Sequence, residues 1–118
     1  MKTNLSDYIV RNNQHPWQPL IENGIPYYGI FVISLRYDPA TQRSTTILLK
    51  FEPGAAYPYH NHPGGEEIYV VSGEAVLENV TLHAGDYLYT PVNFTHSVTS
   101  PCGCMLLLVV PQEVEILY

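Results

Sequence analysis

Gly54-Ala-Ala-Tyr-Pro-Tyr-His60-Asn-His62-Pro-Gly-Gly-Glu66-Glu67-Ile-Tyr-Val-Val-Ser-Gly73 is the stretch on which the fold turns. Histidines at i and i+2 of an extended strand point to the same face, so His60 and His62 can both bring an imidazole to one ion at about 2.0–2.2 Å. The Pro63-Gly64-Gly65 turn then reverses the chain, and Glu66 opens the next strand beside the histidines. Glu66 and Glu67 compete for the carboxylate role. Alternation sends them to opposite faces, and the count of six residues to Gly73 favours Glu66. Downstream, Gly85-Asp-Tyr-Leu-Tyr-Thr-Pro91-Val-Asn-Phe-Thr-His96-Ser-Val supplies a further histidine just beyond a proline-containing turn. The expected metal ligands are therefore His60, His62, Glu66 and His96.

On either side of these segments the chain keeps the same character. Ten prolines and eight glycines interrupt it every few residues, leaving little room for a helix of ordinary length. Between the breaks lie short β-branched and aromatic runs at Tyr27–Tyr37, Ser44–Phe51, Glu67–Val71, Ala75–Glu78, Tyr87–Thr90, Ser97–Thr99 and Cys104–Val110. Turn chemistry separates them at Asp38-Pro39, Glu52-Pro53-Gly54, Ser72-Gly73 and Ala84-Gly85-Asp86. The expectation is an all-β chain, with sandwich, barrel and jelly roll all compatible. Ile30–Ile33 and Met105–Val110 are apolar at odd and even positions alike, so both faces of those strands need cover. A homodimer would supply it. The segment 1–24, with Trp17 between Pro16 and Pro19, is expected to be irregular and to act as a cover, leaving 25–118 as the barrel of a single domain.

Composition narrows the function. Hydrophobic residues are 46% of the 118 and charged residues only 14%, which fits one folded core and not a disordered chain. A net charge of −6 with five scattered Lys and Arg argues against nucleic acid, whose phosphates are bound by clustered cations. The longest apolar run, Met105–Pro111, is far below the roughly 20 residues a membrane helix needs, and Met1–Val10 lacks the pattern of a signal peptide. A cytoplasmic protein without membrane contact is the expectation. Cys102 and Cys104, one residue apart, are expected to be reduced thiols.

The two histidine segments resemble the paired cupin motifs, Gly-x5-His-x-His-x3-Glu-x6-Gly and Gly-x5-Pro-x-Gly-x2-His-x3-Asn. The first is complete from Gly54 to Gly73. In the second, Gly85, Pro91 and His96 fall in place, whereas Asn93 stands for the glycine and Ser100 for the asparagine. More narrowly, His-x-His-Pro-Gly-Gly-Glu-Glu-Ile, the Gly103-Cys104 that follows His96, and Trp17-x-Pro19 upstream are similar to small cupins related to the cupin domain of zinc-binding anti-sigma factors. The resemblance implies a double-stranded β-helix, or jelly-roll, barrel that is often dimeric. It implies no single reaction, because cupins include dioxygenases, isomerases, decarboxylases and ligand sensors.

Imidazoles with a carboxylate suit one divalent transition metal ion, Fe, Mn, Ni, Cu or Zn, and suit Ca or Mg poorly. Four protein ligands on an octahedral ion leave about two positions for a small chelating substrate. The expected function is a metal-dependent enzyme of dioxygenase or Lewis-acid isomerase type; the alternative is a non-enzymatic metal-bearing sensor, against which stands the near-complete use of the chain by the barrel. Candidates for substrate contact are Tyr57, Tyr59, Tyr87, Tyr89 and Phe94, with Thr90, Asn61 and Ser97 as partners that would orient imidazoles. No second general base is evident. His15 and His83 are expected at the surface, and Cys104 as a small buried strand residue.

Overall fold

A computed structural model describes residues 3–12 and 14–117. Ten strands follow one another: β1 Gln18–Glu22, β2 Ile25–Asp38, β3 Arg43–Phe51, β4 Ala55–Asn61, β5 Glu66–Leu77, β6 Val80–His83, β7 Tyr87–Thr90, β8 Thr95–Ser100, β9 Cys104–Val109 and β10 Glu115–Ile116. Helix is confined, among the described residues, to one 3-10 turn at Leu5–Tyr8, capped by the Asn4 side chain. No helix is long and apolar enough to cross a membrane.

The strands pair antiparallel in the order β1-β2-β3-β9-β5-β8-β4-β10, with β6 and β7 also on β5. Strand β5 is the hinge of this curled sheet. Its first half pairs with β9 and β7, and its second half with β6 and β8. The sequence places a turn at Ser72-Gly73, but the chain runs through it as one strand. A bulge between Val70 and Ser72, and Gly73 at φ +76°, bend β5 without ending it. A Cβ on Gly73 would stand 2.1 Å from the Gly103 carbonyl oxygen, so only glycine lets the two segments touch.

The segment 1–24 also departs from expectation, because Gln18–Glu22 forms β1 against β2. Pro19 obscured it. Proline is excluded from central strands but tolerated at an edge, and β1 is the edge of the sheet. The expected strands Glu67–Val71 and Ala75–Glu78 are one, while β1, β6 and β10 carry too little apolar pattern to stand out.

Alternation fills the interior. Ile68, Val70, Leu106, Leu108, Leu49 and Phe51 point inward from β5, β9 and β3, with Leu20 from β1 and Val98 from β8. Both described departures from the second cupin motif have local explanations. Asn93 takes φ +65°, a left-handed conformation asparagine tolerates. The fully buried Ser100 hydroxyl donates to the Glu74 carbonyl at 2.6 Å and ties β8 to the bend of β5.

Candidate metal centre

Strand β4 does not alternate simply. Tyr57 and His60 are both buried although three positions apart, because the pairing with β8 shifts register between them. This bulge at Pro58 and Tyr59 turns Tyr59 out to solvent and frees the Pro58 carbonyl, which accepts a hydrogen bond from His60 Nδ1 at 2.7 Å. His62 follows just past β4, and its Nδ1 donates to the Phe94 carbonyl at 2.7 Å. With Nδ1 protonated in both rings, each Nε2 keeps its lone pair inward. His96 enters from β8 directly opposite His60.

The three imidazoles converge. Ring centroids lie 4.5 Å apart for His60 and His62, 5.0 Å for His60 and His96, and 4.4 Å for His62 and His96. One ligand nitrogen from each falls within 4.8 Å of the others, close to the roughly 4.4 Å that two bonds of about 2.2 Å can span. Glu66, at the start of β5, puts Oε1 3.2 Å from His62 Nε2 and 3.6 Å from His96 Nε2. Relative exposures are 2% for His60, 0% for His62, 2% for His96 and 5% for Glu66. Glu67 faces outward and accepts a hydrogen bond from the Tyr87 hydroxyl.

Burial pushes the His60 imidazole down to about 4 against the Pro58 hydrogen bond, with His62 and His96 lowering it further, so it is neutral at physiological pH. Burial would raise the Glu66 carboxyl, but His62 and His96 outweigh it and hold it below the usual range. His62 is drawn upward by Glu66 against its own burial. Neutral imidazole beside an anionic carboxylate is the donor set a divalent transition metal takes.

A second observation fits an ion here. His62 Nε2, Glu66 Oε1 and His96 Nδ1 are buried without a hydrogen-bond partner. Each such group costs about 1–3 kcal/mol unless something pairs it, and a cation between His62 Nε2 and Glu66 Oε1 would pair those two. The buried triad His60, His62 and His96 can hold a metal ion.

His60 and Glu66 border a cavity of about 90 Å³. Its walls are apolar, from Leu20, Leu49, Phe51, Ile68, Leu106 and Leu108 among others, and its polar lining is Glu22, Arg43, Tyr57, His60, Glu66 and Glu113. A second, outer depression of about 440 Å³, beside Thr90 and His96, is lined by Leu77, Leu88, Tyr89 and Phe94 among others.

Of the five aromatic candidates, only Tyr57 lines the inner cavity. Tyr89 and Phe94 border the outer depression with their rings largely exposed. Tyr59 and Tyr87 line neither: the bulge expels the first, and strand alternation places the second on the outer face. Thr90 approaches His96 Nε2 at 3.4 Å. Asn61 instead bonds Asn93 and Glu115, while the Ser97 amide donates to Glu78. The groups that orient imidazoles are backbone carbonyls, which no reading of side chains identifies. Glu22 lies outside the residues expected at the site, because Pro19 hides the strand that carries it. His15 and His83 are exposed, Cys102 is an exposed thiol and Cys104 a buried one.

Comparison with known proteins agrees with this architecture. A putative acetylacetone dioxygenase from Methylibium petroleiphilum PM1 superposes with a TM-score of 0.81 at 18% identity, covering 100% of this chain and 85% of that one. An acetylacetone dioxygenase from Acinetobacter johnsonii gives 0.76 at 16% identity, covering 93% and 76%. At such identities the likeness is one of fold. Among curated sequences, the DNA damage-repair/toleration protein DRT102 of Arabidopsis thaliana is 32% identical over 60 residues, which is 46% of this chain and 19% of that protein, so the chain spans only a small part of its relative. The family model for the ChrR cupin-like domain matches residues 5–115. The chain belongs to the ChrR cupin-like family of the cupin superfamily.

Proposed function

We propose that this cupin is a metal-dependent enzyme acting on a small organic molecule with two neighbouring oxygen donors, such as a β-diketone, an α-hydroxy ketone or a catechol. The observation that carries this reading is the opening of the buried histidine cluster, through His60 and Glu66, onto an apolar cavity. A volume of about 90 Å³ suits a small occupant.

In this proposal His60, His62, Glu66 and His96 hold one divalent transition metal ion. Such an ion supplies Lewis acidity and, if redox-active, one-electron chemistry with dioxygen. The chain supplies the rest. The carbonyls of Pro58 and Phe94 fix the ring tautomers, the apolar walls exclude water and strengthen electrostatic interactions, and Arg43 brings a guanidinium to the cavity. The acetylacetone dioxygenases that share this fold support this reading.

Elemental analysis of untagged protein purified without chelator, followed by oxygen-electrode assays with small diketones and catechols, tests it. About one equivalent of iron, copper, nickel or manganese with substrate-dependent oxygen uptake is the expected result. A protein with no bound metal overturns it. The family match supports a second reading, a metal-bearing sensor or ligand-binding domain; stoichiometric zinc with ligand binding but no turnover would favour it.

A further inference from the structure

Three carboxylates line the inner cavity among the described residues, Glu22, Glu66 and Glu113, and they differ in what they can do with a proton. Glu66 is placed among the expected metal ligands, its Oε1 turned to His62 and His96 at 3.2 and 3.6 Å, and is committed there. Glu113 is exposed. Glu22 is the half-buried one, brought from the edge strand β1 over the cavity and fixed there by the Tyr57 hydroxyl, which donates to its Oε1 at 2.5 Å.

We propose that Glu22, positioned by Tyr57, is the base that removes an acidic C–H proton from the substrate held in this cavity. The inference rests on the enzymatic reading above and adds to it the residue that performs the proton transfer. The step balances within the pocket. The substrate C–H bond breaks, its electron pair stays on the substrate as the enolate, and the proton forms an O–H bond on the Glu22 carboxylate.

The surroundings suit that task. Burial raises the proton affinity of Glu22, the Tyr57 hydrogen bond lowers it, Glu113 raises it and Arg43 lowers it, and the net shift is upward, toward a stronger base than an exposed carboxylate. Tyr57 is also the link to the metal centre, since its ring packs edge-on against His60 at 4.7 Å between centroids. Its hydroxyl proton is donated to Glu22, so Tyr57 serves here as a donor and Glu22 as the acceptor. Arg43 lines the same cavity while its guanidinium donates to the Val110 carbonyl at 2.6 Å, a fixed positive charge suited to a developing enolate.

Titration calorimetry of the metal-loaded protein with acetylacetone, repeated in buffers of contrasting ionisation enthalpy, counts protons and needs no turnover. If Glu22 accepts the proton, binding to the wild type releases none to buffer. In Glu22→Gln the same binding releases about one proton per molecule, and where turnover is measurable kcat falls on the order of 10²-fold. Glu22→Ala, which also lacks the carboxylate, should release the same proton and provides a second measurement should the glutamine variant fold poorly. Equal proton counts in wild type and Glu22→Gln overturn the inference while leaving the enzymatic reading standing. Failure of the loaded wild type to bind acetylacetone overturns both.

Discussion

The Tyr57 ring meets the His60 ring edge-on, with centroids 4.7 Å apart and planes at 87°, because the bulge in β4 carries both to the inner face. Tyr57 is thus a wall for the imidazole as well as a donor to Glu22. Replacing it by phenylalanine keeps the wall, and bound metal should stay at the wild-type level. Replacing it by alanine empties a buried ring site, and large-to-small losses of that kind cost about 3–5 kcal/mol. Tyr57→Ala should melt much earlier and bind metal more weakly, as measured by thermal denaturation with elemental analysis. Wild-type melting in the alanine variant would mean that the ring does not support the site.

His60→Ala and His96→Ala should each lose bound metal, together with the thermal stabilisation that metal gives the wild type. Glu66→Gln should weaken metal at least about tenfold, of the size expected when metal-site groups are altered. Glu67→Gln, whose side chain meets the exposed Tyr87 hydroxyl, should leave metal unchanged. His15→Ala is the matching histidine control, being exposed outside the sheet. A competition titration with a chromogenic chelator ranks the series, and metal loss in His15→Ala would refute the ligand set.

Cys102 and Cys104 should behave as opposites. Cys102 is exposed and should alkylate readily at pH 8. Cys104 is buried at the start of β9, and burial pushes its thiol up despite hydrogen bonding to Ser100 and Phe51. It should react only after denaturation. The sign of its effect on stability follows from the direction of the shift. A thiol with a raised folded pKa contributes stability that is fully present below the unfolded value, near 8.5, and is lost as pH rises through the folded value. Melting temperature should therefore fall on the alkaline side, and Cys104→Ala should flatten that fall. A wild-type decline unchanged in the variant would assign it to other groups.

The glycines of the first motif are not equivalent. Gly54 has φ +88° with nothing near the position of a Cβ, so Gly54→Ala should cost only the left-handed conformation, about 1–2 kcal/mol. At Gly73 the added Cβ would meet the Gly103 oxygen at 2.1 Å and the Cys104 Cα at 2.8 Å. Backbone must move there, parting β5 from β9 at the bend. Gly73→Ala should unfold the protein or lower its midpoint several-fold more than Gly54→Ala in urea titrations, and equal effects would show that the bend yields.

What could be read in the sequence follows from where the information lies. His60, His62, Glu66 and His96 are side chains whose spacing matches strand geometry and a family motif, so the cluster is legible. The all-β fold is legible for a related reason, since prolines and glycines mark the breaks. Strand β1 is hidden by Pro19, and the continuity of β5 by a glycine that reads as a turn but serves as a bend. Tyr59 was misplaced because a bulge changes the phase of alternation and leaves no composition signal. Pro58 and Phe94 contribute carbonyls, and every residue has one.

The outer face of the sheet carries one further expectation. Ile33, Leu48, Leu107 and Tyr69 form a cross-strand row over β2, β3, β9 and β5, opposite the row that enters the core. The first three are only half-buried and Tyr69 is exposed, leaving a contiguous apolar band that water would cover in a monomer. Isologous pairing of two copies through this band would bury it on both sides, as a two-fold dimer requires. We therefore expect a homodimer by size-exclusion chromatography with light scattering. Tyr69→Glu places a charge in the band, away from the cavity, and should weaken the dimer at least about tenfold while bound metal is unchanged, because desolvating an unpaired carboxylate is costly. A monomeric wild type at high micromolar concentration would leave the band as solvated surface and sink the expectation.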